Sequence, residues 1–118
     1  MPIVQSAGVP IYYETAGEGT PIVLVHGFLS SFEGNWGQSG WVDFLLGLGR
    51  KVVGMDCRGH DRSDKPHDSS AYEDPQMPND VLAVMDALGL ERVDLMGYSM
   101  GGAIAINLLA RHPGRLKQ

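Results

Sequence analysis

Cysteine, positive charge and long apolar runs are all scarce in this chain of 118 residues, and each shortage excludes a class of protein. The single cysteine, Cys57, has no partner for an intrachain disulfide, which favours a reducing compartment and a cytoplasmic location. Nine Lys and Arg residues against fourteen Asp and Glu give a net charge of −5. This balance argues against nucleic acid or a membrane surface as a partner. No apolar run approaches the ~18 residues that a membrane-spanning helix needs.

Two kinds of binding site are also missing from the residue pattern. No spacing of His, Cys and carboxylate residues is typical of a metal site. The glycines around Ser99 lack the lysine of a Walker phosphate loop, and no other segment predicts a cofactor. The first ten residues show no secretory signal pattern. We therefore expect no metal and no cofactor.

Strand-like and helix-like apolar patterns alternate along the chain. Strands are predicted at 9–14, 22–25, 51–56 and 92–96, helices at 41–48, 81–88 and 101–111, and a long surface loop at 61–78. The helix at 41–48 rests on the i, i+3, i+4, i+7 spacing of Trp41, Phe44, Leu45 and Leu48. The order predicts an α/β fold with a mostly parallel, doubly wound sheet and crossover helices, all within one domain at 1–118.

The sequence Gly97-Tyr98-Ser99-Met100-Gly101 joins the last predicted strand to the last helix. A serine on so tight a turn has a strained backbone that pushes its Oγ clear of the sheet. Gly97 and Gly101 lack the Cβ atoms that would collide with neighbouring backbone. Free N–H groups at the start of the helix favour developing negative charge. The pattern predicts a nucleophile at Ser99 with the Met100 N–H as oxyanion donor; a serine that only caps the helix is the alternative.

The sequence His26-Gly27-Phe28 ends the apolar strand at 22–25. Ligands of open parallel sheets bind at the carboxyl ends of the strands, so this turn is expected near Ser99. A second oxyanion donor has to come from another strand's loop, and the Phe28 N–H is placed to supply it. An ordinary His-Gly turn without a chemical role is the alternative.

The chain resembles the α/β-hydrolase superfamily in four ordered segments: Y-Y-E at 12–14, P-I-V-L-V-H-G-F at 21–28, D-x-R-G-x-x-x-S-x-x-P at 56–66 and G-Y-S-M-G-G at 97–102. The nearest likeness is to its branch of small-molecule esterases, lactonases and C–C-bond hydrolases. Members of the family usually carry glycine where this chain has Asp61. Aspartate tolerates a left-handed backbone better than most residues, so we expect the loop to keep its shape.

The resemblance implies a serine hydrolase that cleaves a small ester-like substrate through an acyl intermediate on Ser99. It implies that the N–H groups of Phe28 and Met100 form the oxyanion hole. Serine rather than aspartate at position 99 speaks against haloalkane dehalogenases and epoxide hydrolases of this fold. The resemblance also implies a supporting set for the loop and the turn: His26, Gly27, Gly97 and Gly101. Of these, His26 is expected to buttress the loop rather than to act as the base.

The base and the acid that a serine nucleophile needs are not evident in the chain. In this fold they follow the serine in the order Asp or Glu, then His. The stretch after Ser99 contains no Asp or Glu, and its one histidine, His112, lies about 20 Å away along the helix at ~1.5 Å per residue. Asp56 and His60 lie nearer, but the resemblance implies a structural role for them, with Asp56 and Arg58 in local hydrogen bonds.

We therefore expect the chain to be the N-terminal part of the family's core domain, ending just after the nucleophile helix and inactive alone. A second chain or segment would cover the apolar edge of the strand at 92–96 and supply the acid and the histidine. C–C-bond hydrolysis or lactone hydrolysis is one alternative activity. A non-catalytic, hydrolase-like interaction domain is the other reading. The aromatic residues Phe28, Trp36 and Trp41 are expected either in the acyl pocket or in the core.

Overall fold

The computed structural model describes residues 2–67, 72 and 76–117, which form a sheet with helices on both faces. The strands are β1 (Ile3–Ser6), β2 (Val9–Ala16), β3 (Thr20–Val25), β4 (Arg50–Met55) and β5 (Asp94–Gly97), and the helices are α1 (Trp41–Gly47), α2 (Gln76–Ala87) and α3 (Met100–Arg111). A short π-helical turn spans Glu33–Gly37 and a 3₁₀ turn spans Pro113–Arg115. Within the described ranges, no helix combines the length and the apolar character needed to cross a bilayer.

The five described strands are ordered β1-β2-β4-β3-β5. β3 lies parallel to both β4 and β5, with Val23 opposite Val53 on one side and Leu95 on the other. The hairpin of β1 and β2 joins β4 in antiparallel fashion. The predicted α/β class is confirmed. The described sheet is mixed rather than mostly parallel, because the N-terminal segment folds back as a hairpin instead of crossing over.

The strand β3 is covered on both faces, as its unbroken apolar run indicates. Val23 and Val25 belong to a core shared with α2 and α3, whereas Ile22 and Leu24 belong to a core shared with α1. Alternate residues of a strand point to opposite faces, so four consecutive apolar residues can serve two cores. The carboxyl end of β3 is thereby held rigidly, and the residues that follow it inherit a fixed position.

The helix α1 is confirmed, but its buried face differs from the one that the sequence spacing indicates. Leu45 is buried, whereas Trp41, Phe44 and Leu48 expose 41, 57 and 61% of their surface. The half-buried Val42 and Leu46 complete the sheet-facing side together with Leu45. Seven residues make two turns, too short for the apolar periodicity to distinguish two candidate faces.

The predicted loop at 61–78 is shorter than expected at its C-terminal end, because α2 already begins at Gln76. Pro78 therefore lies in the first helical turn, where a missing N–H leaves no intrahelical bond unmade. Residues 68–71 and 73–75 of the predicted loop lie outside the described part of the chain.

The strand β5 borders the described sheet and is half-buried along its length. Val93, the residue just before β5, is already covered on its outer side, since it pairs in parallel with Leu116. The Val93 N–H donates to Arg115 O at 3.0 Å and the Lys117 N–H donates to Val93 O at 2.8 Å. The prediction of an exposed edge is thus wrong at Val93, which is fully buried. Along Asp94–Gly97 no described strand lies on the outer side.

The segment after β4 is fixed by buried charge. Arg58 forms two hydrogen bonds of 2.6 Å with the carboxylate of Asp80 on α2, and both side chains are 1% exposed. The expected local role of Asp56 is confirmed, because its carboxylate accepts from Nε of Arg62. Arg58 instead reaches across to a helix 22 positions further along the chain. Breaking a buried pair of this kind costs about 3–5 kcal/mol, so it holds α2 firmly against this segment.

Asp61 has φ 40°, which confirms the left-handed backbone expected at the position where the family carries glycine. We predict that Asp61→Val lowers the free energy of unfolding of the full-length protein by about 1–2 kcal/mol, because a β-branched side chain is poorly accommodated at positive φ. Asp61→Gly is expected to leave the free energy of unfolding undiminished. Urea denaturation measures both, with Asp64→Val, at an exposed neighbour that has no positive φ, as the control. Equal losses in the two valine variants would contradict the prediction.

Candidate active site

Ser99 stands between β5 and α3 with φ 55° and ψ −112°, a backbone conformation that serine rarely adopts. It is the N-cap residue of α3, yet its side chain makes no capping hydrogen bond. An ordinary N-cap serine has a negative φ in the extended region and uses its oxygen on the first helical turn. The geometry therefore favours the nucleophile interpretation, a strained turn that presents the hydroxyl, and disfavours the interpretation as a simple helix cap.

The turn at 97–101, here called the β5 turn, depends on two close backbone approaches. A Cβ atom at Gly97 would lie 2.2 Å from Gly101 O. A Cβ atom at Gly101 would lie 2.1 Å from Val25 O and 2.8 Å from His26 O. Real Cβ atoms do not approach backbone oxygen so closely, so the turn accepts only glycine at both positions. These contacts press the start of α3 against the end of β3.

The turn that follows β3, residues 27–30, here called the β3 turn, lies directly beside Ser99. The Tyr98 N–H donates to Val25 O at 3.1 Å, which continues the parallel pairing up to the serine. A Cβ atom at Gly27 would lie 3.4 Å from Cβ of Ser99 and 3.2 Å from Tyr98 O. The structure thus brings together the two motifs that the sequence separates by about seventy positions.

Two backbone amides beside the serine are unused. Among the described residues, neither the Phe28 N–H nor the Met100 N–H donates a hydrogen bond. Met100 opens α3, where the helix dipole adds positive potential. Two free donors from two adjacent strand ends are the arrangement that stabilises an oxyanion on a tetrahedral carbon.

His26 is fully buried and both of its ring nitrogens are engaged. Its Nε2 accepts the Cys57 N–H at 2.9 Å, so the ring proton lies on Nδ1, which donates to Gly27 O at 2.7 Å. Burial lowers the pKa of His26 below its ordinary value of 6.5, which keeps the ring neutral. A histidine with neither nitrogen free holds a loop and has no lone pair to take a proton from serine.

Asp56 and His60 are similarly occupied. The Asp56 carboxylate is fully buried and accepts the Phe32 N–H at 2.9 Å, besides the contact with Arg62. His60 accepts the Leu29 N–H on Nε2 at 3.0 Å, and its Nδ1 lies 3.0 Å from Arg58 O. Neither side chain is available as the base or the acid of a triad.

His112 and Cys57 are excluded for separate reasons. His112 follows the twelve residues of α3, about 18 Å along the helix axis, and is exposed. Burial raises the pKa of the Cys57 thiol to about 12, so Cys57 is not a nucleophile. In the part of the chain that the structure describes, no group of three or more His, Cys, Asp or Glu side chains is arranged to hold a metal.

The aromatic residues separate into two environments. Trp36 is 5% exposed and packs in the core under α1 with Ile22 and Leu24, so of its two expected places the core is confirmed. Trp41 stacks edge-on against Trp36 at 6.4 Å, on the same side of the sheet. Phe28, in the β3 turn, is 67% exposed, and Trp41 is 41% exposed on the outer side of α1.

Asn35 is a functional candidate that the sequence patterns do not reveal. Its Oδ1 accepts the Gly27 N–H at 2.7 Å. The residue lies in the π-helical turn, eight positions beyond Gly27, and only that turn brings its amide back to the end of β3. A lone asparagine in a Gly- and Ser-rich loop carries no spacing signal, so sequence reasoning had no means of selecting it.

We predict that alanine substitution at two neighbouring glycines, Gly101 and Gly102, changes the free energy of unfolding in opposite directions. Gly101→Ala should lower the free energy of unfolding by about 2–4 kcal/mol, as overpacking against rigid backbone does. Gly102→Ala should instead be neutral or stabilising by about 0.5–1 kcal/mol, because its Cβ atom would meet nothing closer than 3.7 Å and helical glycine is unfavourable. Thermal and urea denaturation of the full-length variants measure both. Equal effects would contradict the steric argument.

We predict that the His26 ring of the folded protein stays neutral at pH values just below 6.5, the ordinary pKa of histidine. The unfolded chain takes up a proton at His26 at a higher pH than the folded chain, so this residue destabilises the fold as the pH falls below about 6.5. Proton–nitrogen correlation spectra of the imidazoles over a pH series should show His26 titrating below pH 6.5, with the proton of the neutral ring on Nδ1. A midpoint at or above pH 6.5 would overturn the assignment.

Comparison with known proteins places this geometry in a family. Residues 20–118 match the family model described as alpha/beta hydrolase fold. The chain is 32% identical to a 2-hydroxymuconate semialdehyde hydrolase of Pseudomonas putida, over 98% of this chain and 40% of that protein. A solved N-acyl homoserine lactone degrading enzyme is 38% identical with a TM-score of 0.83, covering 98% of this chain and 42% of the other. An epoxide hydrolase mutant of Vigna radiata is 28% identical with a TM-score of 0.89, covering 98% and 36%.

The chain spans about two fifths of the length of the first curated relatives it matches. The matched region includes the strained serine turn, the β3 turn and the three parallel strands β3, β4 and β5. The three proteins named here are hydrolases of different kinds. On the sequence match, the sheet and the turn geometry together, this chain belongs to the α/β-hydrolase family.

Proposed function

We propose that the protein is a serine hydrolase that cleaves a carboxylic ester-like bond through an acyl intermediate on Ser99. The observation that carries the proposal is the backbone of Ser99, held at φ 55° and ψ −112° between β5 and α3 with no capping bond from its hydroxyl. A conformation so costly persists only where the surroundings impose it, and here two glycine contacts do so.

The proposed reaction uses the two unused amides. Oγ of Ser99 attacks the carbonyl carbon while its proton passes to a histidine, and the carbonyl oxygen becomes an oxyanion. The N–H groups of Phe28 and Met100 donate to that oxygen. The oxyanion then collapses, the bond to the alcohol breaks, and the histidine returns the proton to the leaving oxygen. Water repeats the sequence on the acyl-serine and releases the acid.

We propose that the acid and the histidine come from residues outside this sequence, in a further segment or a second chain. Of the four histidines, His26 and His60 have both ring nitrogens engaged, His67 is exposed in the loop after β4, and His112 lies at the far end of α3. The order of the triad in this fold places both partners after the serine. The 118 residues alone are then expected to be inactive, and the whole protein to act on a small ester-like molecule in the cytoplasm.

The names of the relatives support two neighbouring activities as alternatives. One relative is a 2-hydroxymuconate semialdehyde hydrolase and one structure degrades an N-acyl homoserine lactone. Both names are compatible with a serine nucleophile and an oxyanion hole. The epoxide hydrolase likeness supports the fold, while serine at position 99 speaks against that activity.

A fluorophosphonate probe tests the nucleophile directly. We predict that the full-length protein is labelled at one serine, identified as Ser99 by peptide mass mapping, and that Ser99→Ala abolishes both labelling and ester hydrolysis. Ser31→Ala, in the exposed connection after the β3 turn, is the control and should label normally. A full-length protein with a native melting curve that stays unlabelled at Ser99 would refute the proposal and favour the non-catalytic reading.

Three substrate classes separate the alternatives on the same preparation: p-nitrophenyl butyrate, an N-acyl homoserine lactone and a 2-hydroxy-6-oxohexa-2,4-dienoate. Preference is read from kcat/KM, since differential stabilisation of the transition state sets specificity. A preference for the ester supports the proposal, whereas a large preference for the dienoate assigns C–C-bond hydrolysis instead.

A further inference from the structure

The β3 turn is held by more polar contacts than a surface turn needs. The Gly27 carbonyl accepts both the Ser30 N–H at 3.2 Å and the Nδ1 proton of His26 at 2.7 Å. The Gly27 N–H donates to Asn35 Oδ1 at 2.7 Å. The Leu29 N–H donates to His60 Nε2 at 3.0 Å. Three of the four amides in the turn are thus engaged, and the Phe28 N–H is left without an acceptor among the described residues.

The backbone of the turn is strained at the residue that His60 holds. Leu29 has φ 64°, a left-handed conformation that favours glycine in the third position of a turn. A leucine there relaxes towards negative φ unless something opposes the change. Rotation about this residue would reorient the peptide groups on either side of it, including those next to Phe28. The hydrogen bond that the Leu29 N–H donates to His60 opposes that rotation.

His60, which accepts the Leu29 N–H, is itself anchored to the core. His60 is 8% exposed, and its Nδ1 side is tied to Arg58 O at 3.0 Å. Arg58 is fixed by its buried pair with Asp80 on α2. The ring of His60 also lies 5.0 Å from that of His26 and 5.7 Å from that of Phe28. His60 therefore links the loop after β4 to the β3 turn through both backbone and ring contacts.

We propose that His60 and Asn35 are positioning residues, which clamp the amides of Leu29 and Gly27 so that the Phe28 N–H between them is aimed at the oxyanion on Ser99. The inference rests on the proposed function and adds two residues to it. Neither side chain touches the substrate. Each acts by keeping a hydrogen-bond donor in a position that costs no reorganisation during the reaction.

Paired variants separate the clamp from a general structural role. His60→Gln keeps an acceptor near the Nε2 position for Leu29, whereas His60→Asn keeps only a donor near the Nδ1 position for Arg58 O. Asn35→Asp keeps the acceptor for Gly27, whereas Asn35→Leu has a similar size and no acceptor. Ser31→Ala is the control, because it removes another acceptor of a loop amide, that of Gly34, outside the β3 turn.

On p-nitrophenyl butyrate, we expect His60→Asn and Asn35→Leu to lower kcat about 10- to 100-fold, as a misplaced rather than absent oxyanion donor does, with KM within about 2-fold. His60→Gln and Asn35→Asp should recover most of the loss, and Ser31→Ala should match the parent. Equal losses in His60→Gln and His60→Asn, or kcat within about 3-fold of the parent in all folded variants, would overturn the proposal.

Deuterium exchange gives a readout that needs no activity. The peptide covering the β3 turn should take up deuterium faster in His60→Asn and Asn35→Leu, but not in Ser31→Ala, when each melting temperature matches the parent. Unchanged exchange would refute the clamp even in an active enzyme. A parent protein that neither turns over esters nor labels at Ser99, yet shows the exchange pattern, would instead remove the proposed function and leave the clamp established.

Discussion

The first turn of α3 approaches the end of β3 so closely that a single methyl group at Gly101 would lie 2.1 Å from Val25 O. This contact sets the distance between the β5 turn and the β3 turn, and with it the position of Ser99 beside Gly27. In the same turn Gly97 lies close to Gly101, and the backbone of Ser99 between them has a positive φ. The strained residue and the close approach of backbone therefore occur in one turn.

Buried polar groups extend this rigidity to the loops. Asp56, His26 and His60 accept backbone amides across the two connections that follow β3 and β4. The Arg58–Asp80 pair ties the connection after β4 to α2. Such groups are costly to bury unless every hydrogen-bonding atom is used, and a satisfied network specifies one arrangement of the loops. The loop after β4 is therefore tied both to α2 and to the β3 turn, and it helps to fix where that turn lies.

Sequence patterns predicted the element order, the strand β3 covered on both faces and the left-handed backbone at Asp61, because each follows from local periodicity or from the preference of one residue type. They failed where the outcome depends on packing. The buried face of α1 could not be identified from two turns of helix, and Trp36 could not be assigned to the core without knowing which sheet face it meets. The pairing of Val93 with Leu116 joins segments that only the fold brings together.

By itself, the sequence determined the family, the glycines of the β5 turn and the identity of the candidate nucleophile, since a G-x-S-x-G turn between a strand and a helix has few physical uses. Only the tertiary structure decided which amides are free to bind an oxyanion and which side chains hold their neighbours. Asn35 and His60 act through hydrogen bonds across 8 and 31 positions of the chain, and no local pattern encodes such a bond. Long-range geometry, set by close packing, therefore distinguishes a histidine that clamps a loop from one that takes a proton.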